Sequence, residues 1–315
     1  MSAARVAPRQ ILIGLAGLLC LAATPAPTVD QEATVVQELV VTAPDRGPAW
    51  WRVSSPTSTV YVMGVPGGLP KGMTWDMGLL ERRLTGANEL ISTPRATVGL
   101  GDLLPLWGAA RRLKSNGPME DGLAPDLRAR FEAARPLVSH DPHAYSSWIP
   151  VIASLQMIAD YRKASGIDPF EPGRTVDRLA RNHDVPVKPS SLLRVLPIVR
   201  DAENGPAEAG PACLDDTLRE IEAGPGSVRA AAGWANGDVG AALQAERGYE
   251  KCLSRFPEGD ALVSQTMSDA TDAIAAALAK PGHSVAIVNL RTLLARGGVL
   301  QQLQARGFMV ANPAQ

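Results

Sequence analysis

The densest group of potential metal ligands in the sequence is the segment His140-Asp141-Pro142-His143. Two imidazoles and a carboxylate hold a zinc ion when a further ligand joins them. Pro142 restrains the local backbone, however, and no other His or Glu stands at an obviously partnering position. We therefore interpret the segment as a solvated loop. The alternative is a metal-dependent hydrolase with a relocated site, built from His140, Asp141 and His143 together with His183.

Other motifs for catalysis or nucleotide binding are weak. The sequence has no Gly-x-Ser-x-Gly nucleophile motif and no phosphate-binding loop that ends in Gly-Lys-Ser or Gly-Lys-Thr. The segment Gly64-Val65-Pro66-Gly67-Gly68 is glycine-rich and follows an apolar run. Its Pro66 lacks the backbone N–H that a phosphate cradle uses, so the segment does not indicate a nucleotide site.

Composition excludes several classes of protein. The 315-residue chain carries 31 Lys and Arg against 32 Asp and Glu, a net charge of −1 at pH 7. This balance provides no bulk basic field to attract nucleic acid. A content of 45% hydrophobic and 20% charged residues is typical of a globular chain. Four histidines and three cysteines allow one small metal site at most, and we predict no cofactor.

The N-terminus has the pattern of a secretory signal peptide. Arg5 and Arg9 precede an apolar run of 13 residues, Ile11–Ala23, which small residues and prolines follow. The run is shorter than the roughly 20 residues that a membrane-spanning helix needs. We predict a signal peptide over 1–26, a polar linker over 27–48, and a periplasmic or secreted protein without an integral membrane segment after cleavage. A lipoprotein site at Cys20 is the weaker alternative, because leucines occupy the two preceding positions.

The predicted export bears on the cysteines and on the linker. Cys213 and Cys252 remain after cleavage, and an even number in an oxidising compartment favours a disulfide bond. Two buried free thiols are the alternative.

The linker contains Gln37-Glu38-Leu39-Val40-Val41-Thr42-Ala43, an extended run that can pair with a sheet edge. It resembles the energy-coupling box of TonB-dependent receptors, and a plain first strand or tether is the preferred interpretation.

Hydrophobic patterning places strands at the two ends of the chain and helices between them. The pattern predicts strands over Ser58–Gly64, Glu89–Thr93, Val185–Val187, His283–Asn289 and Phe308–Val310. It predicts helices over Trp75–Leu84, Asp126–Ala134, Tyr145–Arg162 (which Pro150 would break), Thr175–Asn182, Ser190–Arg200 (with Ser190 or Ser191 as N-cap), Cys213–Ala223, Ser227–Asn236, Ser268–Ala279 and Val299–Ala305. In Val98–Leu113, at the start of this helix-rich middle, leucines alternate with small residues. A further helix is expected to open at Gly237-Asp238.

These elements predict an α/β fold. Its central sheet is built from N- and C-terminal strands and flanked by helices, with a helix-rich middle insertion at about 98–280. We expect a single domain over 49–312.

Four segments of this domain resemble the TraB/GumN family. They are Pro48–Val53 with Ser58–Gly64 and Leu69-Pro70, then Leu79–Glu89 with the strand after it, then Gly233–Asp238, then Ala270–Val310. The resemblance is good at both ends and loose in the middle. It implies an α/β fold related to erythromycin esterase and the haem-binding ChaN proteins, and its animal relatives, the TIKI proteins, are metal-dependent proteases. The family signature is two Gly-x-x-His motifs after strands and a Glu at the end of the second strand, groups that bind a divalent metal and activate water.

The chain departs from this signature at each ligand position. The first motif aligns with Gly64 to Gly67, so that Gly67 replaces the His. The acid position falls on Thr93. The second motif aligns with Asn289 to Thr292, where Asn289 replaces the Gly and Thr292 replaces the His. Glycine has no side chain to ligate a metal, and threonine substitutes poorly for imidazole or carboxylate.

We therefore predict an exported, catalytically silent protein of this family that acts by binding an unidentified protein or small molecule. The alternatives are the relocated hydrolase site and a periplasmic partner protein that engages TonB-like machinery through residues 37–43.

Overall fold

The computed structural model describes residues 47–312. The predicted signal peptide, Cys20, the segment Gln37–Ala43 and most of the predicted linker lie outside these residues. Among the residues described, no helix combines the length and the apolar character needed to cross a membrane.

The described chain is built from strands and helices, with six helices in succession between the eighth and ninth strands. The strands are β1 Trp50–Ser54, β2 Ser58–Val65, β3 Leu69–Pro70, β4 Leu90–Ser92, β5 Arg95–Thr97, β6 Ile167–Asp168, β7 Val187–Pro189, β8 Leu192–Arg194, β9 Gly282–Asn289 and β10 Met309–Ala311. The helices are α1 Gly78–Leu84, α2 Leu103–Arg112, α3 Pro125–Val138, α4 Pro150–Ala164, α5 Glu171–Asn182, α6 Val195–Asn204, α7 Ala209–Ala223, α8 Gly226–Ala235, α9 Val239–Ala242, α10 Gly248–Leu253, α11 Pro257–Leu278, α12 Leu290–Leu294 and α13 Val299–Ala305.

Six strands form the central sheet in the order β10–β1–β2–β9–β4–β7. Strands β2, β9, β4 and β7 run parallel to one another, and β1 is antiparallel to both of its neighbours. Five consecutive residues of β9, from Ser284 to Val288, are buried. A strand covered on both faces reads as a continuous apolar run, which explains why the sequence pattern located β2 and β9 well. The predicted α/β class is confirmed, and β7 adds one strand from the middle segment to the sheet.

Several predicted helix starts are wrong. The helix predicted over Ser268–Ala279 begins at Pro257, because a proline is favoured in the first turn of a helix. The helices predicted from Trp75, Thr175 and Cys213 begin about one turn away, at Gly78, Glu171 and Ala209.

Two further starts also differ from the prediction. The helix predicted over Tyr145–Arg162 begins at Pro150, where a proline is compatible because the first helical N–H has no partner inside the helix. The segment predicted as a helix from Ser190 first forms β8, and α6 starts at Val195 with Arg194 as its N-cap. The backbone N–H of Ser190 donates to the carbonyl of Ser92 in β4, so tertiary pairing replaces the predicted cap.

The middle segment has its own apolar core. Helices α3, α4 and α7 pack around buried residues that include Phe131, Met157, Leu214 and Leu218. Beside this core, Cys213 of α7 and Cys252 of α10 form a disulfide bond, with Cα atoms 4.6 Å apart. The predicted pairing is confirmed, and both cysteines are fully buried. The bond ties two helices that are 39 residues apart in sequence.

Replacing both cysteines by alanine is expected to lower the free energy of unfolding by about 3–4 kcal/mol, because the unfolded chain loses a closed loop of this length. Urea denaturation of the wild type and of Cys213→Ala/Cys252→Ala measures the loss. A reductant should shift the wild-type transition and leave that of the double variant unchanged. Two results together would contradict the bond. The wild type and the double variant would unfold at the same urea concentration, and the denatured wild type would show two more reactive thiols than the denatured double variant.

Candidate functional site

The positions that align with the metal motifs follow the ends of three neighbouring parallel strands. In the register of β2 with β9, Val65 pairs with Asn289, and in that of β4 with β9, Ile91 pairs with Ala286. Gly67 comes two residues after β2, Thr93 directly follows β4, and Thr292 comes three residues after β9. The carboxyl ends of parallel strands meet at one edge of a sheet, where α/β proteins commonly place their ligands. All three positions therefore follow the same edge, which we call the carboxyl edge.

Gly64, at the end of β2, is surrounded by side chains. The indole Nε1 of Trp234 donates a buried hydrogen bond of 2.7 Å to the Gly64 carbonyl. A Cβ atom at Gly64 would lie only 2.4 Å from Cδ1 of Leu290 and 3.2 Å from the ring of Trp51. The space bordered by Gly64, Trp234 and Leu290 does not accept a water-sized sphere. Close packing therefore explains why glycine occupies this position.

Gly67 has the opposite environment. It is exposed, and a Cβ atom built on it would meet no atom within 4 Å. A larger residue would therefore fit at this position. The glycine leaves the position of the expected imidazole open to solvent and without a ligand.

Thr93 lies between β4 and the start of α5. Its hydroxyl would be 3.1 Å from a Cβ atom built on Gly173, so the two segments are in close contact here. The adjacent Ser92 hydroxyl donates to the carboxylate of Asp177, which also pairs with Arg95 at 3.3 Å. The carboxylate near this strand end is therefore engaged by a hydroxyl and a guanidinium.

Asn289 and Thr292 participate in a helix cap. The side-chain oxygen of Asn289 accepts hydrogen bonds from the backbone N–H groups of Arg291, at 3.0 Å, and of Thr292, at 3.2 Å. This is the usual role of asparagine at an N-cap, and it starts α12 directly after β9. The Thr292 hydroxyl lies 3.5 Å from the same oxygen. Both side chains thus stabilise the local backbone.

Arg291 joins this helix start to the segment after α9. Its guanidinium donates hydrogen bonds to the carbonyls of Leu243 and Ala245, the latter at 2.7 Å, and lies 3.6 Å from the carboxylate of Glu250. Burial lowers the pKa of Arg291, while Glu250 acts in the opposite direction. The segment that aligns with the second motif therefore contains a guanidinium that is fixed by two backbone carbonyls and a carboxylate.

Glu89, the acidic residue that precedes β4, is at the opposite end of that strand from Thr93. Its carboxylate contacts Lys188 and lies 3.3 Å from Lys280. Burial raises the pKa of Glu89, but these two lysines outweigh burial and the pKa is lowered overall. Glu89 is consequently a paired structural anion at the far edge of the sheet.

The histidines are also away from the carboxyl edge. His140 and His143 are exposed, and the backbone N–H of His143 donates to Asp141 at 2.8 Å within a turn. His183 is exposed at the end of α5. His283 is in the first part of β9, with Nε2 3.0 Å from the carbonyl of Arg83. Within residues 47–312, no group of three or more His, Cys, Asp or Glu side chains is arranged to hold a metal ion.

The sheet order, the helices and the strand-end segments define an α/β protein with a mixed central sheet whose parallel strands present one common carboxyl edge. The chain belongs to the TraB/PrgY/gumN family, whose profile matches residues 49–312. The comparison with curated proteins and the comparison with solved structures each gave no match.

A divalent metal is the group that the family resemblance implies, and the residues here do not fit it. Gly67 has no side chain, and the side chains of Asn289 and Thr292 belong to the cap of α12.

Trp234 and Arg291 are the residues whose roles the sequence does not predict. The segment Gly233–Asp238 resembles the family, but it does not show what the indole N–H of Trp234 contacts. The identity of the partner, the Gly64 carbonyl 170 positions away, appears only in the folded chain.

The two glycines of the first motif provide a matched test of this packing. Gly64→Ala is expected to lower the free energy of unfolding by about 1–3 kcal/mol, because the methyl group would overlap Leu290. Gly67→Ala should change it by no more than about 0.5 kcal/mol, because its methyl group would be in open solvent. Urea denaturation of both variants measures the difference. Equal effects of the two substitutions would show that β2 does not end in the packed arrangement described.

Proposed function

We propose that this chain is an exported, catalytically silent member of the TraB/PrgY/gumN family that acts by binding a partner. The observation that carries the proposal is the residue type at the three aligned ligand positions, which are Gly67, Thr93 and Thr292. Substitution at one position would change the preference of a site for one metal over another. Substitution at all three removes the nitrogen and carboxylate ligands that hold a catalytic divalent ion.

The surroundings of these positions support the same conclusion. At Gly64 the carboxyl edge is filled by Trp234 and Leu290. Metal-dependent hydrolysis needs side-chain ligands and an open coordination position for water and substrate. The packed position at Gly64 provides no space, and the open position at Gly67 provides no ligand, so the family scaffold is retained here without its hydrolytic centre.

Export is the second part of the proposal. It rests on Arg5, Arg9 and the apolar run Ile11–Ala23. The Cys213–Cys252 disulfide is compatible with an oxidising compartment, where such bonds persist. The mass of the chain recovered from producing cells checks this part, because cleavage near Ala23 or Ala26 would remove the N-terminal segment. Recovery of the full 315-residue chain inside the cell would contradict it.

Equilibrium dialysis against Zn²⁺, Mn²⁺ and Co²⁺ tests catalytic silence. We expect no stoichiometric binding of any of the three ions at submicromolar concentration, because the aligned positions lack ligands. The variant His140→Ala/His143→Ala serves as a control for weak binding by the exposed histidines. Stoichiometric submicromolar binding by the wild type would overturn the proposal, and its loss in the control variant would indicate a relocated site.

A variant that carries the family's ligand residues tests whether the wild type fails to bind metal because these ligands are missing. Gly67→His/Thr93→Glu/Thr292→His places the family's ligand types at the three aligned positions. Because these positions follow one edge of the sheet, we expect the variant to bind Co²⁺ more tightly than the wild type. No gain in affinity by a folded variant would count against the alignment on which the proposal rests.

A further inference from the structure

Helix α2 and the turn before it expose an apolar stripe. The exposed fractions are 91% for Leu100, 56% for Leu103, 79% for Leu104 and 59% for Trp107. Leu103, Leu104 and Trp107 are spaced i, i+1 and i+4 in α2, which places them on one side of the helix, and Leu100 lies in the 3-10 turn just before it. We call this set the α2 surface. Isolated exposed apolar residues are common, but four large ones on one face mark an interaction surface.

The opposite side of α2 is held by the protein. Ala109 and Leu113 are buried, and Arg112 pairs with Glu203 of α6. At the start of the helix, Asp102 is buried and pairs with Arg194 at 3.2 Å. The helix is therefore anchored along its length, and the outward orientation of the leucines is a property of the fold.

The chain around the α2 surface is basic. Residues 93–117 and 191–204 together contain six Lys and Arg against three Asp and Glu, a net charge of +3, whereas the whole chain has −1. All three acids are already engaged. Asp102 and Glu203 pair with arginines, and Asp201 accepts the backbone N–H of Glu258 at 2.8 Å. Arg95 and Arg194 are 51% and 68% exposed and pair with Asp177, which lies outside these ranges, and with Asp102. The positive charge that remains in this region is carried by Arg111, Lys114 and Arg200.

One cation is stacked directly on the stripe. The guanidinium carbon of Arg111 lies 3.7 Å from the centre of the Trp107 ring. An aromatic ring with an adjacent arginine is suited to the boundary between acyl chains and headgroups, where the ring is partly buried and the cation contacts phosphate.

We propose that the α2 surface docks on an anionic phospholipid surface. The leucines enter the acyl boundary, Trp107 lies at the level of the headgroups, and the surrounding arginines contact lipid phosphates. Charge complementarity favours lipid over a second copy of this chain. Two copies joined through this surface would bring Arg111 and its neighbours together, and like charges repel at such a contact. This inference does not depend on the proposed function, because it uses none of the residues of the carboxyl edge.

Quenching of Trp107 by brominated phosphatidylglycerol vesicles tests the proposal on the full chain. The signal is the difference in quenching between the wild type and Trp107→Phe. Because this difference reports on Trp107 alone, it is not affected when the apolar run Ile11–Ala23 itself enters a bilayer. We expect Leu103→Ser/Leu104→Ser to require about tenfold more lipid for half-maximal quenching of Trp107, since two leucines no longer enter the acyl boundary.

The matched control is Leu137→Ser/Phe170→Ser, which removes two side chains of similar exposure, 66% and 69%, outside α2. It should behave as the wild type does, and thermal unfolding should show that both double variants remain folded. Added salt should weaken quenching, and neutral phosphatidylcholine vesicles should quench less.

Three results would overturn the proposal. They are an unquenched Trp107, equal quenching of the wild type and Leu103→Ser/Leu104→Ser, and equal quenching by neutral and anionic vesicles. A concentration-dependent dimer in analytical ultracentrifugation, lost in the same double variant, would assign the α2 surface to a second copy of the chain instead.

Discussion

The parallel pairing of β2 with β9 is the constraint on which the rest of this fold depends. Eight consecutive residue pairs join Ser58–Val65 to Gly282–Asn289, two segments separated by more than 200 residues. A one-residue shift would reverse the facing of every side chain in β9, which is buried on both sides. The pairing therefore fixes which residues meet at the carboxyl edge. It also brings the two ends of the domain together, so that the helical middle segment closes back on the sheet.

At that edge, residues that align with a metal motif contribute to packing and capping. Asn289 starts α12, and Arg291 fastens the start of this helix to the carbonyls after α9. Trp234 closes the edge from α8 by donating to Gly64. These contacts depend on one another, because α12 and α8 both pack against the end of β2 at Gly64.

The sequence predicts the central strands well because their signals are local. Continuous β-branched runs bounded by turn residues locate β2 and β9 to within one residue. The predicted helix N-cap at Ser190 or Ser191 is wrong. These two serines donate hydrogen bonds to Ser92 and Asp269, which are in distant segments of the chain. The candidate site, too, is predictable only as far as its signals are local in the sequence. The absence of ligand residues is visible in the sequence, whereas the pairing of Trp234 with a carbonyl 170 positions away is not.

The carboxyl edge is closed and packed where β2 ends at Gly64. Hydrogen exchange of the tryptophan indole N–H groups, followed by NMR, measures how well Trp234 keeps water out at this point. The indole of Trp234 is 2% exposed and hydrogen-bonded to Gly64, whereas Trp107 is 59% exposed. We expect the indole proton of Trp234 to exchange far more slowly than that of Trp107. Exchange of both protons at the same rate would show that water reaches Gly64 and that this part of the edge is not packed.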